Sequence, residues 1–569
     1  MVWKGAPLVF NIRQGEAANA TLLKLNLSKI CEEASDCERC PMKLITDILT
    51  ENASLYGCET ALIEREPEKN LRREITWTRF DLYATELAAT LQAMGIGPQS
   101  RVVQLMSNSL EWLPIYFGIL RTGAWVVPLN FRFDSEKISL CTKVAEAEVM
   151  IFGEEFIDRL DAVRDDLSEV KYWLFDGPER LCPEWASHLE SLLDGESPDY
   201  TPVELKEEET AALYFTSDTT GTPKAVRLTH GNLAFACEVE NAHHGQTHLD
   251  NFLCIPPLYH TGAKMHWFGN FKVGAKTVIL KGVKPEYILR VVSEEQISIV
   301  WLLVPWAHDI LIAIENGDVV LTDYNLDAWR LMHIGAQPVP PSLIDEWKKL
   351  FPHHAYDTNY GLTEASGPGC VHLGVENEHK VGAIGLAGHG WEAEVVASDL
   401  EPLPGGETGE LVVRGPGVMV EYYKNEEESA KCLMDGGWLR TGDMARKDKD
   451  GFIWLVDRKK DLIISGGENI FPVEIEHHIM THPDIQDVGI IGYPDSRLGE
   501  VVAAVVMVKE GRSLSREGVE AFCESLARYK RPRKIFFGDV PRNPTGKIEK
   551  PKLRRKYIRT NRDFRKLYE

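Results

Sequence analysis

The chain has 569 residues, a length that indicates two or more domains. Hydrophobic residues make up 44% and charged residues 26%, as is ordinary for a globular protein. The net charge of −23 argues against nucleic acid or an anionic membrane as the main partner. The first residues contain no apolar stretch of signal-peptide length, so we expect a cytoplasmic protein without a transmembrane segment.

Eleven cysteines are spread along the chain, and reduced thiols are expected in the absence of an export signal. Cys31, Cys37 and Cys40 have a spacing that could serve a metal or an iron–sulfur centre. No fourth ligand is evident nearby, so we assign these cysteines no role. Residues 1–50 form a polar N-terminal segment whose role the sequence does not indicate.

Regular elements are predicted from Thr78, which we take as the N-cap of a helix that ends near Gly95. Apolar spacing then predicts strands and helices in alternation. The strands are 101–106, 125–129 and 149–152, and the helices are 110–120 and 135–146. This alternation predicts parallel strands covered by helices, an α/β fold.

A strand at 213–215 runs into a loop of small hydroxyl residues and a glycine, which ends at Lys224. The loop residues are Thr216, Ser217, Thr219, Thr220, Gly221 and Thr222. Backbone and hydroxyl donors can converge on an anion in such a loop, and the lysine adds a positive charge. The spacing differs from the P-loop, yet the position after a strand is where phosphate loops lie. The alternative is an ordinary solvated turn.

Further strands are predicted at 253–255, 277–280 and 299–303, followed by short strands within 405–415 and 450–465. The last hundred residues are predicted to form a small α+β unit. It contains a helix at 472–480, a strand at 501–508, a helix at 516–529 and an exposed loop at 542–552. We predict three segments: the N-terminal segment 1–50, a large domain 51–458 and a small domain 459–569.

Two further stretches carry groups that a nucleotide site needs. Tyr360, Thr363 and Glu364 offer a stacking face, a hydroxyl and a carboxylate suited to magnesium. Asp443 can accept the hydroxyls of a ribose, and Arg458 lies fifteen residues further along. The alternatives are a helix cap and an Asx turn, respectively.

Six motifs together resemble the adenylate-forming superfamily, which includes acyl-CoA synthetases, firefly luciferase and the adenylation domains of peptide synthetases. The motifs are TSDTTGTPKAV (216–226), YGLTE (360–364), GELVVRG (409–415), WLRTGD (438–443), DRKKDLIISGGENIFPVEIE (457–476) and NPTGK (543–547). They occur in the order of the family, and the resemblance runs from about residue 55 to 557.

The resemblance implies a large N-terminal domain of helix-covered, mostly parallel sheets with a short-stranded β region, and a small mobile α+β C-terminal domain. It implies a ligase that uses ATP, Mg²⁺ and coenzyme A on a small-molecule carboxylic acid. The acid first attacks the α-phosphate of ATP, which gives an acyl adenylate and pyrophosphate. The thiol of coenzyme A then displaces AMP.

Matching positions imply a role for each motif residue. Thr216, Ser217, Thr219, Thr220, Gly221, Thr222 and Lys224 would hold the β- and γ-phosphates, Thr363 the α-phosphate and Glu364 the magnesium ion. Tyr360 would pack on adenine, and Asp443 and Arg458 would hold the ribose. Lys547 would bridge the carboxylate and the α-phosphate in the first step only, so the implied catalytic set is Lys547, Thr363, Glu364 and Lys224. Lys460 falls at the hinge position, and Ser465, Gly466 and Gly467 are candidates for binding coenzyme A.

The acyl pocket is less clear from the sequence. The candidate walls are His260, Trp267, Gly335, Ala336 and Gly361. We expect an apolar acid of medium size, either fatty, alicyclic or aromatic. The phosphate loop departs from the family at Asp218 and Ala225, where glycine is usual, and we expect Asp218 to alter the kinetics with ATP and pyrophosphate.

Two alternatives stay open at this point. One is an adenylation enzyme that loads the pantetheine of a carrier protein, although no carrier domain with a serine attachment motif is evident. The other is a catalytically silent protein that binds an acyl group or an adenylate. The sequence does not fix the oligomeric state, and a homodimer is one alternative.

Overall fold

The computed structural model describes residues 42–193, 199–216, 223–335, 339–458, 461–465, 468–495, 497–542 and 547–558. The described residues from Lys43 onward belong to one compact unit. None of the described helices is long and apolar enough to cross a bilayer.

The helices have the following bounds: α1 (Ile45–Tyr56), α2 (Trp77–Ala93), α3 (Trp112–Arg121), α4 (Ser135–Ala145), α5 (Ile157–Asp161), α6 (Leu189–Leu193), α7 (His230–His244), α8 (Thr261–Lys272), α9 (Pro285–Glu294), α10 (Val304–Glu315), α11 (Pro341–Leu350), α12 (Glu426–Cys432), α13 (Pro472–Met480), α14 (Arg516–Phe522) and α15 (Lys550–Tyr557).

The strands have the following bounds: β1 (Thr60–Glu66), β2 (Leu71–Thr76), β3 (Arg101–Leu105), β4 (Trp125–Pro128), β5 (Val149–Gly153), β6 (Tyr172–Asp176), β7 (Ser187–His188), β8 (Thr210–Phe215), β9 (Ala225–Thr229), β10 (Asn251–Cys254), β11 (Lys276–Leu280), β12 (Ile299–Leu303), β13 (Leu331–Gly335), β14 (Ala355–Asp357), β15 (Asn359–Tyr360), β16 (Val371–His372), β17 (Leu386–Ala387), β18 (Glu392–Val396), β19 (Thr408–Arg414), β20 (Glu421–Tyr422), β21 (Leu433–Met434), β22 (Trp438–Lys447), β23 (Ile453–Arg458), β24 (Ile463–Ser465), β25 (Glu468–Ile470), β26 (Ile485–Asp495), β27 (Gly499–Val508) and β28 (Lys534–Phe537).

Two large sheets form the centre of the fold. The first has the order β14-β13-β12-β10-β11-β1-β2 and is parallel apart from the β1–β2 pair. Every residue of β12 is buried, because helices such as α9, α10 and α11 bring apolar side chains into the same core cluster. This arrangement confirms the predicted α/β fold.

The second sheet has the order β20-β9-β8-β4-β3-β5-β6-β7. It is parallel from β8 to β7, whereas β8 and β9 form an antiparallel hairpin and β20 pairs antiparallel with β9. The hairpin loop therefore follows the carboxyl end of a parallel strand, where the sequence predicted it. The pairing of β20 brings a distant stretch of chain against this hairpin.

Smaller antiparallel sheets follow in the chain. Strands β18, β19, β21, β22 and β23 form one of them, as the short-stranded pattern of 405–465 predicted. Strands β24 to β28 form another, which packs with α13 and α14 around its own apolar cluster. That cluster is the core of the C-terminal α+β unit that the sequence predicted.

Some predicted boundaries are wrong. The N-cap of α2 is Thr76, not Thr78, because the Thr76 hydroxyl accepts from Arg79 N at 3.2 Å and the helix begins at Trp77. Gly95 does lie just beyond the end of α2, with a φ of 81° that favours glycine.

Two C-terminal boundaries also differ. Helix α14 ends at Phe522 rather than 529, because the chain tightens into a 3₁₀ turn and Arg531 Nε then donates to Leu526 O at 2.8 Å. Helix α15 begins at Lys550, inside the predicted loop 542–552. Lys550 is buried, with Nζ 3.2 Å from Glu476 Oε1, and this contact joins the start of α15 to α13.

Candidate active site

The hairpin β8–β9 fixes both ends of the candidate phosphate loop. Phe215 and Ala225 are paired across the strands. Beyond them, Thr216 N donates to Lys224 O at 2.9 Å, and Lys224 N lies 3.4 Å from Thr216 Oγ1. Thr216 and Lys224 are therefore placed opposite each other at the base of the loop. Ser217, Asp218, Thr219, Thr220, Gly221 and Thr222 lie outside the described residues.

Lys224 and Glu364 are connected through one tyrosine. Lys224 Nζ lies 4.6 Å from the ring centroid of Tyr422 and 2.7 Å from Glu428 Oε2. The Tyr422 hydroxyl donates to Glu364 Oε1 at 2.7 Å. The predicted phosphate-binding lysine and the predicted magnesium ligand thus contact the same tyrosine, one at its ring and the other at its hydroxyl.

The sequence analysis missed Tyr422 and Glu428. The Lys224–Glu428 contact spans 204 residues and the Tyr422–Glu364 contact spans 58, so no local spacing reveals either. Tyr422 lies on β20 and Glu428 in the first turn of α12, whose N-cap Asn425 accepts from Glu428 N at 3.1 Å. The hydrogen bond from Lys224, and a second one from Lys431, hold the pKa of Glu428 below its usual value.

Tyr360 and Asp443 form the second part of the site. The Tyr360 hydroxyl donates to the Asp443 carboxylate, and Asp443 N donates to Thr441 Oγ1 at 3.1 Å. Burial, together with the charge of Asp443, raises the pKa of Tyr360 well above its usual value, so its phenol stays neutral. Arg458 is the strand partner of Asp443 across β22 and β23. The fold thus brings the three predicted adenosine contacts together.

Thr363 lies beside the helix that carries the predicted acyl-pocket histidine. Its Oγ1 is 3.3 Å from Thr261 Oγ1, at the first residue of α8. His260 caps this helix, because its Nδ1 accepts from Gly262 N at 3.1 Å. Burial, together with the charges of Lys547 and His266, lowers the pKa of His260 to about 4.

The charge of Lys547, an exposed residue of the C-terminal unit, contributes to the low pKa of His260. The predicted catalytic lysine and the predicted acyl-pocket histidine are thus close enough to interact electrostatically. His260 is neutral at neutral pH because its pKa is about 4, so Lys547 is the cation of this pair.

The remaining pocket candidates differ in their surroundings. A Cβ at Gly335, at the end of β13, would find no atom closer than 3.9 Å, so there is room for a methyl group there. A Cβ at Gly361 would lie 2.1 Å from Gly367 O, so the backbone packs tightly there. Trp267 is fully buried among Phe80, Phe117 and Phe271, with ring centroids 4.7–6.5 Å apart. Its surroundings are those of the aromatic core.

The structure gives less information on the predicted hinge, the predicted coenzyme A contacts and one pocket residue. Ser465 ends β24, is buried, and pairs with Gly499. Ala336, Lys460, Gly466 and Gly467 lie outside the described residues.

Comparison with known proteins identifies the family. The family model of the AMP-binding enzymes matches residues 49–423, and that of the AMP-binding enzyme C-terminal domain matches residues 474–547. An indoleacetate–CoA ligase of Aromatoleum aromaticum is 32% identical over 90% of this chain and 97% of its own length. A long-chain-fatty-acid–CoA ligase of Mycobacterium tuberculosis is 30% identical over 91% of this chain and 99% of its own length.

The solved structure of an anthranilate CoA ligase in complex with anthranoyl-AMP has the same fold. It superimposes with a TM-score of 0.83 at 24% identity, covering 93% of this chain and 99% of its own. The chain therefore has the fold of an adenylate-forming enzyme, and it belongs to the AMP-binding enzyme family. It is an AMP-forming acyl-CoA synthetase, an acid–thiol ligase that uses ATP, Mg²⁺ and coenzyme A.

Proposed function

We propose that the protein activates an apolar carboxylic acid of medium size, fatty, alicyclic or aromatic, and transfers its acyl group to coenzyme A. The observation that carries this proposal is the convergence of Lys224 and Glu364 on Tyr422, next to Thr363 and its contact with α8. These residues join the phosphate loop to the helix start that carries His260. An acid bound there would lie beside the phosphates of ATP.

The reaction brings a carboxylate to a polyphosphate, so like charges must approach each other. Lys224 on the phosphate loop and Lys547 from the C-terminal unit supply the positive charge that lowers this barrier. Tyr360, Asp443 and Arg458 would orient the nucleoside. Positioning of both reactants then replaces a bimolecular encounter by an attack within one complex.

Glu364 fits the role of a magnesium ligand. It is a half-buried carboxylate that accepts from the Tyr422 hydroxyl, and Lys224 contacts the ring of the same tyrosine. A bound Mg²⁺ would neutralise phosphate charge at this position. Tyr422 would keep the carboxylate pointed at the phosphates whether or not a nucleotide is bound.

The proposed acid class rests on the surroundings of Gly335. A Cβ at this glycine would be in ordinary van der Waals contact with Trp301 Nε1, at 3.9 Å, and Trp301 is buried. A flat or branched apolar body would pack there against an aromatic wall. His260, being neutral, adds no second charge that would favour a dicarboxylate.

We further propose that the reaction takes place in the cytoplasm. The eight cysteines found among the described residues are free thiols, which fits a reducing compartment. ATP and coenzyme A are both cosubstrates of that compartment. Separation of the domains near residue 458, with a hinge at Lys460, is part of the same proposal.

The test is pyrophosphate release from MgATP over a panel of carboxylic acids, each with and without coenzyme A. Lys547→Ala should slow acid-dependent release by about 100-fold or more, because it removes the charge that stabilises the transition state. The same variant should still form the thioester from supplied acyl adenylate. Lys552→Ala, which removes an exposed lysine that pairs with Glu549, is the matched control.

The outcomes of this assay distinguish the proposed CoA ligase from the two alternative functions. Release that depends on the acid, with thioester formation on free coenzyme A, supports the proposal and names the substrate class. Thioester formation on a carrier-protein pantetheine, but not on coenzyme A, would replace it by the carrier-loading alternative. Tight nucleotide binding without release for any acid would contradict it, and Asp218 would be the first residue to restore to glycine.

A further inference from the structure

A cluster of histidines and carboxylates lies buried beneath the acyl site, and the proposed reaction does not use it. His244 Nε2, His333 Nδ1 and Asp357 Oδ2 lie within 4.8 Å of one another. They come from α7, β13 and β14, and all three side chains are fully buried. His372, on β16, adds a fourth donor atom, with Nδ1 3.2 Å from Asp357 Oδ2.

The hydrogen bonds around the cluster fix the tautomer of His333. His266 Nδ1 donates to the carbonyl of Gly262, so His266 Nε2 carries a lone pair. That lone pair faces His333 Nε2 at 2.9 Å and Asn359 Nδ2 at 2.9 Å. His333 Nε2 must therefore carry the proton, which leaves the lone pair of His333 Nδ1 directed at the cluster.

His244 is oriented in the same way. Its Nδ1 lies 2.7 Å from Glu240 Oε1, so this nitrogen carries a proton that faces the carboxylate. Its Nε2 then faces His333 Nδ1 at 3.0 Å and Asp357 Oδ2 at 3.1 Å. His244 Nε2, His333 Nδ1 and Asp357 Oδ2 therefore face one another, and a cation placed between them would be ligated by all three.

The charges lead to the same conclusion. Glu240 and Asp357 are both fully buried and together carry two negative charges. Among the described residues, the recorded partners of Asp357 are histidines and two backbone N–H groups, from Thr358 at 2.7 Å and Gly374 at 2.9 Å. Buried carboxylates are costly unless a cation compensates them, and one divalent ion would balance both.

The distances are compatible with a tetrahedral metal site. Zinc–nitrogen and zinc–oxygen bonds of about 2.0–2.1 Å place neighbouring ligand atoms roughly 3.3–3.4 Å apart in a tetrahedron. The observed separations lie on both sides of that value, at 3.0, 3.1 and 3.9 Å for the three central atoms and 3.2 Å from Asp357 to His372. The His266–His333 hydrogen bond is an outer contact of the kind that usually orients ligating imidazoles, and Glu240 Oε1 lies 2.7 Å from His244 Nδ1.

We propose that His244, His333, Asp357 and His372 bind a structural divalent transition-metal ion, for which Zn²⁺ fits best. Imidazole and carboxylate donors favour such a metal over Mg²⁺, which prefers an all-oxygen shell and retains water. The ion would join α7 to the carboxyl ends of β13 and β14 and to β16. It is distinct from the magnesium ion that accompanies ATP at Glu364.

The first measurement is the metal content of the untagged full-length protein, produced in zinc-containing medium. We expect about one zinc per chain, because such an ion is bound as the chain folds. X-ray absorption at the zinc edge should show nitrogen or oxygen neighbours at about 2.0–2.1 Å and no sulfur at about 2.3 Å. A sulfur shell would place the zinc on cysteines and overturn the proposal.

Cys31, Cys37 and Cys40 require their own control, because they lie outside the described residues and their spacing could bind zinc. A variant with all three changed to serine should retain the ion at wild-type stoichiometry. Loss of zinc from this variant would contradict the histidine site.

Ligand variants test the position of the ion. His333→Asn and Asp357→Asn should lower zinc content at least about tenfold, since each removes one ligand. His354→Asn is the matched control, because His354 is also buried but lies against Trp329 and Phe351, away from the cluster. Unchanged zinc content in both ligand variants would overturn the proposal.

A wild-type measurement covers the case in which the ligand variants do not fold. Protein produced in zinc-depleted medium with Co²⁺ should show the visible d–d absorption of four-coordinate cobalt. Wild-type protein that carries neither zinc nor cobalt would show that protons on the histidines, instead of a metal ion, compensate the two carboxylates.

Discussion

At the scale of single residues, Tyr422 is the contact between the two charged ends of the proposed phosphate site. Its hydroxyl orients Glu364, while its ring face lies under Lys224 Nζ. A cation over an aromatic face and a phenol donating to a carboxylate are both favourable contacts. One side chain thus contacts both the proposed phosphate-binding lysine and the proposed magnesium-binding carboxylate.

Removal of this hydroxyl is expected to affect magnesium use. Tyr422→Phe keeps the ring under Lys224 but loses the hydrogen bond to Glu364, which should cost about 1–2 kcal/mol, or roughly tenfold in kcat/KM for MgATP. The measurement is pyrophosphate release as a function of Mg²⁺ concentration.

Tyr423→Phe is the control for that variant. Tyr423 is the next residue along the chain, and its ring packs edge-on against Trp125, away from Glu364. An equal Mg²⁺ dependence of Tyr422→Phe and Tyr423→Phe would show that the hydroxyl does not orient the magnesium ligand.

The sequence offered candidates for the proposed site but not their partners. Lys224, Thr363, Glu364 and Asp443 each lie in a local motif, and the resemblance of these motifs to the family implied a role for each. Tyr422 lies in no such motif, and it reaches Glu364 only because β20 pairs with β9. Contacts of this kind depend on tertiary pairing, which local spacing does not encode.

At the scale of elements, the turn after β15 shows why a glycine is needed at 361. The Cβ of any other residue would lie 2.1 Å from Gly367 O, which is backbone and cannot rotate away. Gly335, at the end of β13, has the opposite environment, because the nearest atom to a Cβ is 3.9 Å away.

Gly361→Ala is therefore expected to displace the backbone that carries Thr363 and Glu364. We expect a loss of about 2–4 kcal/mol in unfolding free energy, as is typical of a forced overlap, and a fall in pyrophosphate release. Thermal unfolding and the release assay measure the two effects.

Gly335→Ala is the matched control, since its methyl group would meet its nearest neighbour at an ordinary contact distance of 3.9 Å. It should change stability by no more than about 0.5 kcal/mol while altering the KM for the acid. Similar destabilisation by both substitutions would mean that the tight contact at Gly361 relaxes without cost.

The ends of the helices show which boundaries can be predicted from the sequence and which cannot. The start of α13 at Pro472 was predicted correctly, because a proline at the first turn is a local signal. The end of α14 was not, because Arg531 closes the following turn from outside the helix. When a distant side chain sets the end of a helix, the spacing of apolar residues within the helix does not indicate that end.

At the scale of the whole molecule, buried histidines make stability depend on pH. His230 is 1% exposed at the start of α7, and burial lowers its pKa to about 4. The imidazole of His230 therefore takes up a proton near pH 6.5 in the unfolded chain, but only near pH 4 in the folded protein. Stability is lost as the pH falls through this window, by about 2–3 kcal/mol at pH 4.5 for this group.

His230→Phe should remove that part of the pH dependence, because phenylalanine does not titrate. Denaturant unfolding at pH 7 and pH 4.5 is the measurement, and the variant should lose less stability between the two than the wild type. His353→Phe, at an exposed position, serves as the control. If the two variants show the same pH dependence, His230 is not a source of the acid sensitivity.

The proximity of Lys547 to His260 has a consequence for the proposed domain rotation. Because the charge of Lys547 contributes to the low pKa of His260, removal of Lys547 from the site would raise that pKa towards its ordinary value. The rotation is then linked to proton uptake, and by reciprocity acidification favours the rotated arrangement. The fraction of molecules in each arrangement, followed by the distance between fluorophores on the two domains, should shift with pH in wild-type protein and not in His260→Gln.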